Sequence, residues 1–442
     1  MPTAIEIFKH LPKKNCGECK NPTCLAFAMQ LANNKAKLDD CPYLSDAGRN
    51  ALASSSAPPI RLVRVGSGKN VVDMGDETEL YRHDKRFFHP TALALRVNDM
   101  MSADELGKKL GHARSLRFER VGQVLKLDMI EAECRSGDAT KFASFVQSVA
   151  SMTDWPLVLR CKDASIMNAA VAVVKDRRPL LHGADESNVK EMAAVAKGAS
   201  CPLVLCSADL GRLADLVEMA RKEGVEDLVL DPMPATMKES LERCTVIRRS
   251  AIRKTFRGLG FPIYLSTPAT QEGTLMALTA VMKYGSLLSF DELPSAQALP
   301  LMVLRQNIYT DPQVPIQVKA DLYPVNNPGP DAPILFTTNF SLTYFTVLSD
   351  IEKSKVPVWL QVIDTEGLSV LTSYSAGKLT AEAVQKALLA SNAKERTTKG
   401  VLIIPGMVAR MSVKLNEATG LKIVVGPKES SGIPKFLRSM NG

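Results

Sequence analysis

The sequence predicts an α/β protein in three parts: a small cysteine-bearing segment, a central (β/α)8 TIM barrel and a C-terminal Rossmann-like unit. Three observations carry that prediction. Four of the nine cysteines, Cys16, Cys19, Cys24 and Cys41, stand close together near the start. From Ile60 onward, short leucine-rich or β-branched runs alternate with helix-length amphipathic segments, and eight such alternations in roughly 250 residues mark a closed barrel. After a proline-rich stretch the alternation resumes in a shorter unit. A chain of 442 residues exceeds one ordinary core, so the division expected is 1–59, 60–311 and 312–442.

In the first part, Ile5, Phe8 and Leu11 recur at near-helical spacing and Pro12 ends the helix. The cysteines follow as C-x2-C-x4-C-x16-C. Between Cys24 and Cys41 the run Leu25 to Ala32 is rich in good helix formers, so the third and fourth thiols are expected to flank one helix. Ser54 to Pro59 reads as a linker.

The barrel strands are read at Leu93–Val97, Val124–Ile130, Leu157–Arg160, Pro179–Leu181, Leu203–Cys206, Leu228–Asp231, Pro262–Leu265 and Leu301–Leu304. Helices are expected between them at Ala139 to Ser151, Val189 to Lys197, Gly211 to Lys222, Ala235 to Thr245 and Glu272 to Lys283. Ile60 to Arg64 precedes them as a hairpin or lid at the barrel's bottom. Eight runs alone do not prove closure, and an open doubly wound sheet is the alternative.

Asp311-Pro, Val314-Pro, Tyr323-Pro and Asn326–Pro330 form a proline-rich connector. Beyond it, strands are expected at Ile334–Thr337, Val358–Ile363, Val401–Ile404 and Leu421–Val425, with helices at Ser341 to Lys353, Thr380 to Ser391 and Met407 to Ala418. In such sheets the ligand lies in the crevice at the carboxyl ends of the strands. There this chain has Thr338-Asn339, Leu371-Thr372-Ser373, Pro405-Gly406 and Gly426-Pro427. No G-x-G-x-x-G opens a helix, so a dinucleotide is not indicated. No histidine follows His182 either, so the crevice must hold its ligand with backbone and small hydroxyl groups. Several glycines at one sheet edge point to close approach of a large ligand.

The cysteine quartet is the strongest chemical signal. Structural zinc sites usually pair two C-x2-C knuckles; only the first pair here has that spacing, which favours a 4Fe-4S cluster over zinc. In the barrel, Asp128, His182, Asp185, Asp231 and Ser266-Thr267 stand at expected strand ends, where barrel catalysts take their groups, but helix N-capping explains them more simply. Cys134, Cys161, Cys201, Cys206 and Cys244 read as small buried hydrophobes in a reducing cytoplasm. The formal charge of +8 is scattered and aromatics make up 5% of the chain, which argues against nucleic acid. No apolar run is long enough for a membrane span, and Lys9, His10, Lys13 and Lys14 rule out a signal peptide.

The order of parts, the Cys16-x2-Cys19-x4-Cys24-x16-Cys41 spacing, and the segments Asp364 to Lys378 and Leu402 to Ala409 resemble the large, gamma-subunit family of corrinoid iron-sulfur proteins of the reductive acetyl-CoA (Wood-Ljungdahl) pathway. The resemblance covers essentially the whole chain. It implies a methyl carrier with two cofactors, a 4Fe-4S cluster and a base-off cobamide without a protein histidine ligand. The cobalt, as Co(I), takes methyl from methyltetrahydrofolate through a methyltransferase and passes it to the nickel centre of acetyl-CoA synthase, while the cluster reactivates Co(II). The resemblance makes Cys16, Cys19, Cys24 and Cys41 the cluster ligands. It draws cobamide contacts from Thr338, Asn339, Thr343, Ser369, Val370, Leu371, Thr372, Ser373, Gly377, Pro405, Gly406, Gly426, Pro427, Gly432 and Ile433, with Thr372 under the lower face. The implied partners are a smaller delta barrel subunit, the methyltetrahydrofolate methyltransferase, acetyl-CoA synthase/CO dehydrogenase and a reductive activator. Most corrinoid modules carry Asp-x-His-x-x-Gly; this chain departs from them, in keeping with a histidine-off cobamide. The alternatives are a barrel methyltransferase acting directly on methyltetrahydrofolate and a flavin/iron-sulfur electron-transfer protein.

Overall fold

The computed structural model describes residues 4–32, 36, 38–45, 48, 58–84, 87–311 and 314–441. Of the expected linker, Ser54 to Ala57 lie outside these residues. The chain divides into two compact units, residues 1–116 with 126–309, and residues 117–125 with 310–442.

Within the first unit the cysteine segment has a small core of its own. Helices Ala4–His10 and Cys24–Ala32 enclose Ile7, Leu11, Phe27, Ala28 and Leu44, together with two of the cysteines, Cys24 and Cys41.

A hairpin follows, β1 (Val63–Ser67) pairing antiparallel with β2 (Asn70–Met74). Its Val63, Val65 and Met74 pack on Ala92, Met129, Val158, Leu180, Val204 and Val229 from the starts of the barrel strands. The expected lid is therefore a plug at the barrel's amino-terminal end.

The barrel strands are β3 (Ala92–Asn98), β6 (Met129–Glu133), β7 (Leu157–Arg160), β8 (Leu180–Ala184), β9 (Leu203–Cys206), β10 (Leu228–Asp231), β11 (Tyr264–Thr267) and β12 (Leu287–Phe290). They run parallel in the order β10-β9-β8-β7-β6-β3-β12-β11. A parallel bridge from Leu230 to Ile263 joins the two ends, so the sheet curls into a nearly closed barrel.

Two expected strands are corrected. Leu301–Leu304 belongs to the helix Ser295–Tyr309: Ala298, Leu301, Met302 and Arg305 are buried at helical spacing while Leu299 between them is 42% exposed. The eighth strand is instead Leu287–Phe290, a four-residue run too short to stand out. The run Val124–Ile130 splits in two. Its first half is β5 (Gln123–Lys126), paired in a hairpin with β4 (Arg117–Arg120), and only its second half begins β6. Val121 and Gly122, both at positive φ, make the tight turn between β4 and β5.

Above the plug, the barrel interior carries charge. Arg96 and Glu131 are 6% and 0% exposed. Arg96 donates from Nε to Glu131 Oε1 at 2.6 Å and from its terminal nitrogens to Asp291 Oδ1 at 2.9 Å and Ser266 Oγ at 2.6 Å. Tyr264 donates its hydroxyl to Glu131 Oε2 at 2.7 Å. Burial pushes the Glu131 carboxyl up, but Arg96, His182 and Arg160 beside it, with the tyrosine hydroxyl, bring it down to about 2.

In the second unit the sheet order is β13-β15-β14-β16-β17, with β13 (Leu322–Val325), β14 (Ile334–Thr338), β15 (Val358–Ile363), β16 (Val401–Ile404) and β17 (Lys422–Val425). The last four are parallel and β13 is an antiparallel edge. Tyr323-Pro324, expected in the connector, lies in that edge strand, a position where proline's missing N–H does no harm.

Removing the carboxylate leaves the buried Arg96 guanidinium with only the part-exposed Asp291 as its counter-charge. Glu131→Gln should cost about 3–5 kcal/mol at neutral pH. Because the folded-state pKa is depressed, the stabilisation is present above the ordinary carboxylate value and lost as pH falls toward about 2. Urea unfolding of both proteins across that range should show the gap narrowing with acidification; a gap independent of pH would refute the charge pairing.

Candidate functional site

Two places in the chain gather chemistry. In the first, the cysteine loop winds through left-handed residues Asn15, Gly17 and Lys20. Lys20 N–H closes the turn on Gly17 O at 2.9 Å, and Asn15 Oδ1 accepts the Cys24 amide at 2.8 Å, fixing the helix start next to the loop. Asn21 Nδ2 donates to Cys19 O at 2.9 Å. Cys16 is exposed, Cys19 half-buried, and Cys24 and Cys41 buried.

The second place is a cavity of about 570 Å³ in the C-terminal unit. The connection from β14 leads to β15 on one side, and that from its neighbour β16 leads to β17 on the other, so a crevice opens at the carboxyl ends of these two strands. The cavity is lined from β14 by Leu335, Phe336 and Thr337, from β16 and its loop by Ile403 to Pro405 and Met407, and by the loop Gly426 to Ser430. Leu342, Thr343, Thr346 and Val347 come from the following helix Ser341–Ser354, and Ser369 to Thr372 from the start of the helix Val370–Ser375.

Of the expected contacts, Thr343, Ser369, Val370, Leu371, Thr372, Pro405, Gly426, Pro427 and Ile433 line this cavity. The remaining six do other work or stand apart. Asn339 is 3% exposed; its Oδ1 accepts from the amides of Thr365 and Gly367 and the Thr365 hydroxyl, and its Nδ2 donates to Asp364 at 2.9 Å. It therefore fixes the loop that leads to Ser369. Ser373 donates to Val370 O inside its own helix, and Gly377 supplies a positive φ at the helix end. Thr338 is fully buried.

The glycine reasoning changes as well. A Cβ at Gly406 would come within 2.6 Å of Gly426 O, and one at Gly432 within 2.9 Å of Pro427 Cβ. Gly406 is small because the 426–428 backbone packs on it and Gly432 because the Pro427 ring does, and a ligand is not needed to explain either.

The lining residues missed include Thr337, Leu342, Thr346, Val347, Met407 and Ser430. Leu342, Thr343, Thr346 and Val347 share one face of the predicted helix, and projecting its periodicity toward the crevice would have found them. Thr337 Oγ1 is buried without a hydrogen-bond partner. Leu342, Leu371 and Met407 are 52%, 52% and 49% exposed around the opening. Only Lys428 and Glu429 carry charge among the lining residues, and none is a histidine. Ser369 and Thr372 hydroxyls bond each other at 2.9 Å.

Within the barrel, the polar residues expected at strand ends are not helix caps. Asp128 precedes β6, where it accepts the Leu93 amide and pairs with Arg305. Asp185 shapes the turn to Ser187, and Ser266 accepts from Arg96. The caps are other residues: Ser102, Asp138, Asp163, Asp209, Thr236 and Thr270.

A family model described as CO dehydrogenase/acetyl-CoA synthase delta subunit matches residues 62–437, and an Fe-S cluster model matches residues 11–43. The corrinoid/iron-sulfur protein large subunit of Moorella thermoacetica is 45% identical, over 99% of this chain and 98% of that protein. The chain belongs to the family of corrinoid/iron-sulfur protein large subunits and acetyl-CoA decarbonylase/synthase gamma subunits. Gamma subunits of Methanopyrus kandleri and Methanothermobacter thermautotrophicus are each 35% identical over 98% of this chain and 97% and 98% of theirs. The delta description covers the barrel and C-terminal unit alone, whereas the alignments with large and gamma subunits take in the cysteine segment too. Among solved structures, a dihydropteroate synthase from Xanthomonas albilineans overlaps with TM-score 0.41 and 13% identity, over 56% of this chain and 99% of that one. No described helix is long and apolar enough to cross a membrane.

The packing at Gly406 gives a direct test. Gly406→Ala must push back the Gly426 carbonyl and should destabilise the protein by about 1–3 kcal/mol. Thermal unfolding of the whole chain checks this; an unchanged midpoint would return Gly406 to the list of residues kept small for a ligand.

Proposed function

We propose that this chain is the methyl carrier of the reductive acetyl-CoA pathway, holding a cobamide in the C-terminal cavity and a 4Fe-4S cluster at Cys16, Cys19, Cys24 and Cys41. The observation that carries the reading is the cavity at the carboxyl end of β14, rich in hydroxyls, free of histidine and rimmed by exposed apolar side chains. Family members are named for a corrinoid and an iron-sulfur centre. A cobamide bound there supplies a cobalt that accepts and hands on a methyl group, and a 4Fe-4S cluster supplies the electron that restores the cobalt after oxidation.

The residues present fit such a ligand. Leu342, Leu371 and Met407 leave apolar surface in water that a large planar ring would cover. Thr337 offers a buried hydroxyl with no protein partner, suited to a carboxamide on the ring's rim. Thr343, Thr346, Ser369, Thr372 and Ser430 offer further hydroxyls, while the backbone of Pro405, Gly426 and Pro427 borders the same space. Thr372 is assigned to the lower face; with no histidine after His182, no imidazole from this unit competes for the metal. Asn339 and Ser373 shape the site from behind.

In this reading the chain has three domains, 1–59, 60–311 and 312–442, the last a Rossmann-like corrinoid-binding domain whose strand order and crevice support the assignment. It works in the cytoplasm beside a smaller delta barrel subunit, a methyltetrahydrofolate methyltransferase, acetyl-CoA synthase/CO dehydrogenase and a reductive activator. Direct action of the barrel on methyltetrahydrofolate is the weaker reading, because Arg96, Glu131, Arg160 and Tyr264 inside it are paired with one another.

The absorption spectrum of the anaerobically purified protein should show cobamide and iron-sulfur bands; flavin bands would overturn the reading. Cys24→Ala should lose cluster iron and reductive reactivation yet keep methyl transfer from pre-reduced protein, and loss of both would make the cluster part of the transfer itself. Thr372→His should supply a lower ligand and make cobalt harder to reduce; an unchanged potential and spectrum would remove Thr372 from that face.

A further inference from the structure

We propose that His182, Cys206 and Asp231 form a site for one divalent cation of borderline softness, zinc in the first instance, inside the carboxyl end of the barrel.

The three residues stand at or near the carboxyl ends of the neighbouring strands β8, β9 and β10. Alternation turns them inward. Leu180, Val204 and Val229, two positions earlier on the same strands, belong to the inward core, and residues two apart share a face. β8 bulges between His182 and Ala184. Gly183 makes that possible at φ +129, where a Cβ would strike Cys161 O at 2.3 Å. Bulges of this kind re-aim side chains.

Convergence is what separates this trio from an ordinary buried pair. His182 Nε2 lies 3.1 Å from Asp231 Oδ2 and 3.9 Å from Cys206 Sγ, and the three donor atoms are all within 4.8 Å of one another. Tetrahedral zinc with ordinary bond lengths sets nitrogen and oxygen ligands about 3.3 Å apart and nitrogen and sulfur about 3.6 Å apart. The observed spacings differ by a few tenths of an ångström. One N–H can point at the carboxylate or at the sulfur; a cation placed between the three satisfies both.

The charges agree. Arg96 and Arg160 are paired with Glu131, Glu133 and Asp291, and the ion-pair partner of Asp231 is His182. Its other oxygen accepts the Met233 amide at 2.8 Å, which orients the carboxylate from behind. Binding displaces the Cys206 thiol proton to solvent, forms the metal–sulfur bond and leaves a dication facing a thiolate and a carboxylate.

The test uses the full chain, purified anaerobically with its N-terminal cysteines loaded with iron, stripped of loosely held metal and dialysed against zinc ions. Wild-type protein should retain about one zinc per chain. Cys206→Ser and His182→Gln should each bind zinc at least about tenfold more weakly with unchanged iron content, and zinc should raise the melting temperature of the wild type alone. His182→Gln decides the matter if the cysteine variant does not fold. Equal zinc retention by wild type and variants, or no zinc-dependent shift in wild-type melting, would overturn the assignment and leave the trio a hydrogen-bonded filling of the barrel.

Discussion

Arg96 and Glu131 face each other inside the barrel with almost no access to water, and the order of the strands around them follows from the need to satisfy both. Each would be costly alone, since burial of an unpaired ion far outweighs what a few hydrogen bonds return. Their partners come from β7, β11 and β12 or the loop after it, as Arg160, Tyr264, Ser266 and Asp291. A shift of any of these strands by one residue would turn its partner to the outer face and strand a charge. The pair therefore adds a polar constraint to the register that the apolar layer beneath it also specifies.

The same physics gives the two large parts different roles. A closed barrel turns its inward residues toward one another, and here they are filled by the plug below and the charge network above. The mixed sheet of the C-terminal unit has no such closure. Its strands end side by side, the connections from β14 and from β16 depart in opposite directions, and a space opens that side chains only line. Asn339 keeps that space in shape by tying the 364–367 loop to the end of β14.

Much of this was legible in the residues. Leu157–Arg160, Leu203–Cys206, Leu228–Asp231, Val358–Ile363 and Val401–Ile404 are strands with the bounds read from the sequence, since short runs rich in leucine, valine and isoleucine bounded by breakers have few other uses. Leu301–Leu304 misled because a continuous apolar run fits a buried strand and a buried helix equally well. Gly406 and Gly432 misled for a different reason. A missing side chain marks close approach without saying what approaches, and here the chain's own 426–428 segment does.

The sequence by itself determined the family, the cysteine spacing, the alternation of strand and helix, and a C-terminal unit without histidine, all of which are properties of order along the chain. Only the tertiary structure decided which hydroxyls face the cavity, that Thr337 lacks a partner there, and that His182, Cys206 and Asp231 meet across three strands. Those are properties of distance between residues far apart in sequence, and neighbouring parallel strands bring them together through a register that no local pattern encodes.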